Sequence, residues 1–145
     1  MLERLGRIFP LAVCVCAFAR ATTAHAIDQQ TRIQRVVDDL KTQLAISQPV
    51  QVSVVQSNPR LFSVVPAEHQ PGTFLLSAQE DFARGLSDAE LRAAVAHELG
   101  HVWIFTHFPF LQTEQLANDI ASRVVSRESL APLYEKVWKK VGAAD

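Results

Sequence analysis

Two histidines four residues apart, with a glutamate between them, are the residues of this chain best placed for chemistry: His97-Glu98-Leu99-Gly100-His101. On a helix, side chains at i and i+4 lie one above the other, so both imidazoles can face one ion. Zinc favours such nitrogen ligands in an open tetrahedral site. Glu98 is adjacent and is not a ligand; its carboxylate is placed to take a proton from water at the ion. The flanking sequence points the same way. From Ala93 to Phe105 the chain reads AAVAHELGHVWIF, and its only polar side chains are His97, Glu98 and His101. A helix apolar on every side is a buried one, and polar groups buried there must be paired or bound to metal. The plainer alternative is a pair of core histidines bonded to backbone carbonyls, with Glu98 in a salt bridge. The spacing favours the metal site.

Such a site needs a third ligand, and the chain offers two. Glu114 lies thirteen residues beyond His101, near the start of the next helix, where a helix packed back could deliver its carboxylate. His107 instead makes His97-Glu98-x-x-His101-x5-His107, the metzincin spacing. That pattern expects glycine where this chain has Ile104, and β-branched isoleucine suits the required sharp turn poorly. It also expects a methionine beneath the metal, and the only methionine is Met1. These considerations favour Glu114.

The elements that must position these residues form one α+β domain. Ile33, Val36, Val37, Leu40 and Leu44 recur at helical spacing, and Pro49 stops that element. Val50, Val52 and Val54 alternate with polar residues as a half-buried strand. Leu61 to Val65 and Thr73 to Leu76 are further strand candidates, with Pro71-Gly72 as a turn between them. Ser77 with Glu80 reads as a capping box for a short helix closed by Gly85, and Ser87 with Glu90 as a second for the helix from Asp88 to Phe105. Phe108-Pro109 marks a loop. Thr113 caps a helix running to about Ser129, and Pro132 to Val141 form the last. Trp103 and Trp138 read as packing residues, His69 as solvated, and Lys136, Lys139 and Lys140 as a solvated face.

Composition narrows the class. The 145 residues carry 14 Lys plus Arg against 15 Asp plus Glu, a net charge of −1, and without a basic stripe a nucleic-acid partner is excluded. Residues 1–26 read as a signal peptide. Arg4 and Arg7 precede the uncharged stretch Ile8 to Ala19, and Ala24-His25-Ala26 supplies the small residues a signal peptidase requires. Twelve residues are too few for a bilayer that needs about 20. Cys14 follows Val13, where a lipoprotein signal wants a small residue. The expected product is exported, periplasmic or secreted. Removing 26 residues with three arginines and one glutamate leaves 27–145, 119 residues with a net charge of −3. Cys14, Cys16 and Met1 leave too, so no disulfide supports this small domain. No later segment approaches spanning length.

The stretch from Ser87 to His101 resembles the active-site helix of HtpX-like zinc metallopeptidases, which are gluzincins. The layout from Leu61 to Leu86 is similar as well. Glu114-Gln115-Leu116-Ala117-Asn118 resembles that family's E-x-x-A-D, with asparagine in place of aspartate, and is closer to the E-x-x-A-N of ImmA/IrrE-like metallopeptidases. The resemblance covers about residues 50–130. It implies a zincin-like single domain with a small three-stranded sheet and packed C-terminal helices. It also implies one Zn²⁺ held by His97, His101 and Glu114, Glu98 as general base and acid, and Asn118 orienting a ligand imidazole. The activity implied is hydrolysis of peptide bonds in peptide or protein substrates. His107, Arg123 and Tyr134 are candidate oxyanion donors, and the strand Phe74 to Leu76 a candidate for pairing with substrate. The alternative is an inactive or latent module acting as a metal-stabilised binding protein, with residues 132–141 covering the cleft.

Purified residues 27–145 are expected to carry one equivalent of zinc by elemental analysis, lost in Glu114→Ala and kept in His107→Ala. Loss in His107→Ala instead would move the third ligand to the metzincin position. A folded, zinc-free chain would leave a buried-histidine scaffold.

Overall fold

The computed structural model describes residues 15–107 and 109–142, with side chains from Ile27 onward. Of the segment read as a signal peptide, residues 1–14 lie outside the described residues, as does Phe108 of the expected loop. The backbone of 15–26 is helical and runs without a break into residue 27 and beyond. No helix among the described residues is long and apolar enough to cross a membrane.

Helix α1, Val15–Gln43, turns its apolar repeat inward: Ile33, Val37 and Leu40 are fully buried. Three strands come next, β1 (Val50–Val55), β2 (Phe62–Pro66) and β3 (Phe74–Gln79), then a short α2 (Glu80–Arg84). The strand order is β1-β3-β2. β1 runs parallel to β3 with Val50 opposite Phe74, and β2 runs antiparallel to it with Val64 opposite Leu76. β3 is thus the central strand, paired on both sides. The expectation that Phe74 to Leu76 would accept a substrate strand is corrected here, because its backbone groups are already spent on the ladder.

The outer edge of β1 is also closed. The Gln34 side chain on α1 donates to Val50 O (3.1 Å) and accepts from Val52 N–H (3.1 Å), as a neighbouring strand would. The open edge is β2.

Ser77 is not a helix cap. It lies within β3, opposite Ser53 and Ser63, and α2 begins after Gln79 without a side-chain cap. Glu80 pairs with Arg84 instead. The second capping box forms as expected: Ser87 Oγ accepts from Glu90 N–H and the Glu90 carboxylate accepts from Ser87 N–H (2.8 Å). It starts α3, Asp88–Thr106, whose Leu91, Val95, Leu99, Val102 and Ile104 are all buried. Each such side chain contributes about 1.5–3 kcal/mol of hydrophobic stabilisation. This is the core around which the sheet, α1 and the C-terminal helices pack.

Helix α4 is shorter than its sequence suggested. Thr113 caps it, but it spans only Glu114–Ala121, and Ser126 caps a separate α5, Arg127–Val141, with Pro132 inside its early turns. α5 is anchored by buried Leu130 and Leu133. Lys136 is exposed, as expected of a solvated face, and its ammonium also donates to Glu90 Oε2 (2.7 Å) and Gly85 O (3.2 Å). Trp138 does not pack; it is 75% exposed.

Helices α3 and α4 meet at Gly100. A Cβ built there would lie 2.5 Å from Ala117 O and 3.0 Å from Ala117 Cα, so only glycine allows the backbones this close. Gly100→Ala is expected to force α4 outward and cost about 2 kcal/mol, read by denaturant unfolding, with weaker metal binding. Gly85→Ala, whose Cβ meets nothing nearer than 3.5 Å, is expected to stay within about 0.5 kcal/mol of wild type.

Candidate metal centre

His97 and His101 stand one turn apart on α3, ring centroids 4.9 Å apart and nearly perpendicular. Glu114 is the first residue of α4, placed by the Thr113 cap, whose Oγ1 accepts from Leu116 N–H (3.1 Å). The close approach at Gly100 brings the two helices together so that Glu114 Oε2 lies 3.1 Å from His97 Nε2 and Oε1 lies 3.6 Å from His101 Nε2. One ligand atom from each residue falls within 4.8 Å of the others. Donors about 2.1 Å from a tetrahedral zinc stand about 3.4 Å apart, so the spacing suits such an ion. His97, His101 and Glu114 form a group that could bind a metal ion.

The far side of each imidazole is held by a side-chain amide. His97 Nδ1–H donates to Asn118 Oδ1 (2.7 Å), and His101 Nδ1–H donates to Gln112 Oε1 (3.0 Å). Gln112 is pinned in turn, its amide N–H donating to His101 O (3.0 Å). An oxygen acceptor at Nδ1 selects the tautomer whose lone pair is on Nε2, the atom facing Glu114. Burial holds the His97 pKa below the usual histidine range, which also favours a neutral, ligating ring. Asn118 Oδ1 accepts a second hydrogen bond from Tyr134 on α5, and the phenol sits 3.4 Å from His97 Nδ1. Burial raises the Tyr134 pKa, so the phenol stays a donor at neutral pH.

Glu98 lies beside the group, only 8% exposed. Burial is the main cause of its raised pKa, about 7; the Glu114 carboxylate adds to the rise, while the neighbouring His101 and Arg60 side chains and a hydrogen bond from Val64 N–H of β2 oppose it.

His107 is not part of the group. α3 continues past Ile104 to Thr106, which carries His107 away from His101. Its ring stacks on Trp103 (centroids 3.9 Å, planes 8° apart), and Nδ1–H donates to Trp103 O (2.7 Å). Arg123 is also engaged by Trp103, its guanidinium carbon 5.2 Å from the ring centroid. Of the three candidate oxyanion donors, only Tyr134 lines the cleft.

Three features were not foreseen from the sequence. Gln112 precedes the cap of α4 in a loop with no motif to mark it. The Tyr134 contact depends on how α5 docks. The role of Gly100 is visible only once Ala117 is against it.

With this geometry in hand, comparison with solved structures finds one informative likeness. The fold is similar to the crystal structure of the metallopeptidase zymogen of Pyrococcus abyssi abylysin, with a TM-score of 0.54 and 15% identity, covering 76% of this chain and 95% of that one. The chain has a metallopeptidase-like fold. No protein-family model matches it, and no curated protein matches it. At this identity the likeness speaks to the fold alone: the small α+β architecture and its three-stranded sheet.

The environment of Glu98 has a measurable consequence. An acid whose pKa is raised on folding, here from 4.5 to about 7, binds more protons folded than unfolded between those values. Its contribution is therefore favourable below the lower value and is lost as pH rises through the higher one. The difference corresponds to about 3 kcal/mol. In the metal-free protein, stability is expected to fall by about this much from pH 4.5 to above 7 relative to Glu98→Gln, measured by denaturant unfolding across that range.

Proposed function

We propose that this chain is a zinc-dependent peptidase of the minimal gluzincin kind, related to HtpX-like enzymes and carrying an ImmA-like third-ligand motif. The observation that carries this reading is the convergence of two imidazole Nε2 atoms and the Glu114 carboxylate beside a buried Glu98, at an open cleft. The metallopeptidase fold of its structural neighbour supports it. His97, His101 and Glu114 would hold the ion, and Asn118 and Gln112 would keep both imidazoles in the ligating tautomer. Bound there, zinc supplies Lewis acidity, which acidifies a water and polarises a peptide carbonyl.

The remaining steps belong to the chain. Glu98, with a pKa near neutrality, takes a proton from the attacking water and returns it to the leaving amine. The open edge of β2 is where an extended substrate would lie. Because the Gln79–Leu61 and Ala67–Thr73 bonds place the odd-numbered residues of β2 on β3, Phe62 and Val64 turn their backbone groups to that edge. α5 walls the cleft with Leu133, Tyr134 and Val137 but leaves the Glu114 side chain 79% exposed. That accessibility favours a working site over a covered or purely structural one. Export with removal of residues 1–26 remains part of the proposal, as do peptide or protein substrates.

Zinc-loaded protein is expected to hydrolyse an unstructured protein substrate. Glu98→Gln should lower turnover by about a hundredfold or more, while its zinc content stays at one equivalent. Turnover undiminished in Glu98→Gln would remove the general-base role. A wild type that binds zinc but cleaves nothing would favour the metal-stabilised binding protein.

A further inference from the structure

The cleft, about 770 Å³, has two apolar flanks and one cation. Near the start of β2 the flank is Phe62, Phe82, Ala94, Leu133 and Val137; near its end it is Pro66, Phe74, Val102 and Phe105. Ring contacts build each flank, Phe62 on Phe82 at 6.1 Å and Phe74 on Phe105 at 5.3 Å between centroids. Arg60, at the Phe62 end, is the one lysine or arginine lining the cleft among the described residues. Arg32 pairs with Asp88, Arg84 with Glu80 and Asp81, and Arg92 with Asp39; Arg35, Arg123 and Arg127 have no such pair among the described residues, but none of them lines this cleft. Arg60 has no such carboxylate partner among the described residues.

The backbone beneath Arg60 is rigid. Its N–H donates to Asn58 Oδ1 (3.0 Å), and its carbonyl accepts from Phe62 N–H (2.7 Å). Leu61 N–H donates to Asn58 O (2.8 Å), with Leu61 held in the left-handed region at φ 65°. Asn58 is itself buried, and its amide donates to Ser63 Oγ and Ser77 O. A left-handed leucine costs about 1 kcal/mol or more and persists only where its surroundings over-determine it. The cation is thus carried on a fixed mount at the cleft rim.

The edge of β2 gives an extended peptide few donors. Phe62 N–H is engaged by Arg60 O, Val64 N–H by Glu98, and Pro66 has none. Carbonyls remain, so selectivity must come from apolar burial and from Arg60. A substrate added antiparallel to β2, the more stable pairing, runs its C-terminal end toward Arg60.

We propose that this site takes peptides with a bulky apolar side chain just after the scissile bond and a carboxylate close behind it. Arg60 binds that carboxylate, and the Phe62–Phe82–Leu133–Val137 flank holds the apolar group. The inference rests on the peptidase reading above. A guanidinium matches a carboxylate with two parallel N–H donors, and substrate covering the cleft would shield that pair from water.

The test uses three matched peptides with phenylalanine after the scissile bond: a free acid, its C-terminal amide, and an amide with Asp as the last residue. kcat/KM is measured for zinc-loaded wild type, Arg60→Gln and Arg60→Lys. Kd is measured by calorimetry on zinc-loaded Glu98→Gln, with and without Arg60→Gln. A carboxylate peptide should exceed the plain amide by roughly tenfold or more, with the ratio near one in Arg60→Gln and partly kept in Arg60→Lys. Advantage for the free acid alone identifies a C-terminal carboxylate, and advantage for the Asp peptide identifies a side chain. Equal turnover and affinity for all three, or a preference that survives Arg60→Gln, overturns the proposal. Carboxylate-selective binding without cleavage of any peptide would sink the peptidase reading and leave the Arg60 site standing.

Discussion

The site depends on two helix backbones touching. At Gly100 there is no side chain to hold α3 and α4 apart, and the Ala117 carbonyl occupies the space a Cβ would need. Everything on the α4 side of the centre is a consequence of that contact. Glu114, the first residue of the helix, reaches both Nε2 atoms, and Asn118, one turn further on, reaches behind His97. A spacer of even one methyl group would move a carboxylate that has only a few tenths of an ångström of tolerance around an ion.

Burying polar groups in an apolar helix is unfavourable unless each finds a partner. His97 has Asn118 and Tyr134 on one side and Glu114 on the other; His101 has Gln112 and Glu114. Glu98 is the exception. Its burial is offset only in part, by Val64 N–H and the neighbouring His101 and Arg60 side chains, and its pKa rises accordingly. Displaced values of this kind cluster at functional sites. Well-partnered imidazoles beside a buried carboxyl with a raised pKa distinguish this cluster from a pair of ordinary core histidines.

The sheet adds a second constraint. Its central strand has no free edge, and the Gln34 side chain closes one flank. Among the described residues, β2 is therefore the edge left open to a further strand. β2 is also the strand that touches Glu98, and the rigid turn before it carries Arg60. One short strand thereby connects the buried Glu98, the apolar flanks and the cleft's cation.

Much of this was legible in the chain itself. The His97-Glu98-x-x-His101 spacing, the Ser87–Glu90 capping box, the Thr113 cap and the inward stripe of α1 are local features. They are set by helical periodicity and by the unsatisfied backbone groups at helix ends, and the structure reproduces each. The misjudged elements are those where distant neighbours outweigh local preference. Ser77 joined a strand because Ser53 and Ser63 flank it. Phe74 to Leu76 became the centre of the sheet once β2 folded back beside it. Glu114 and His107 were both open as third ligands from spacing alone. Tertiary packing separates them, since Trp103 stacks His107 away from the centre while Gly100 admits α4. The sequence by itself determined the two imidazoles and the carboxylate between them, because one helical turn is a property of the backbone. Which oxygens face them, and which edge of the sheet stays open, only the tertiary structure decided, because those contacts join residues 11 to 37 positions apart through an approach no local pattern encodes.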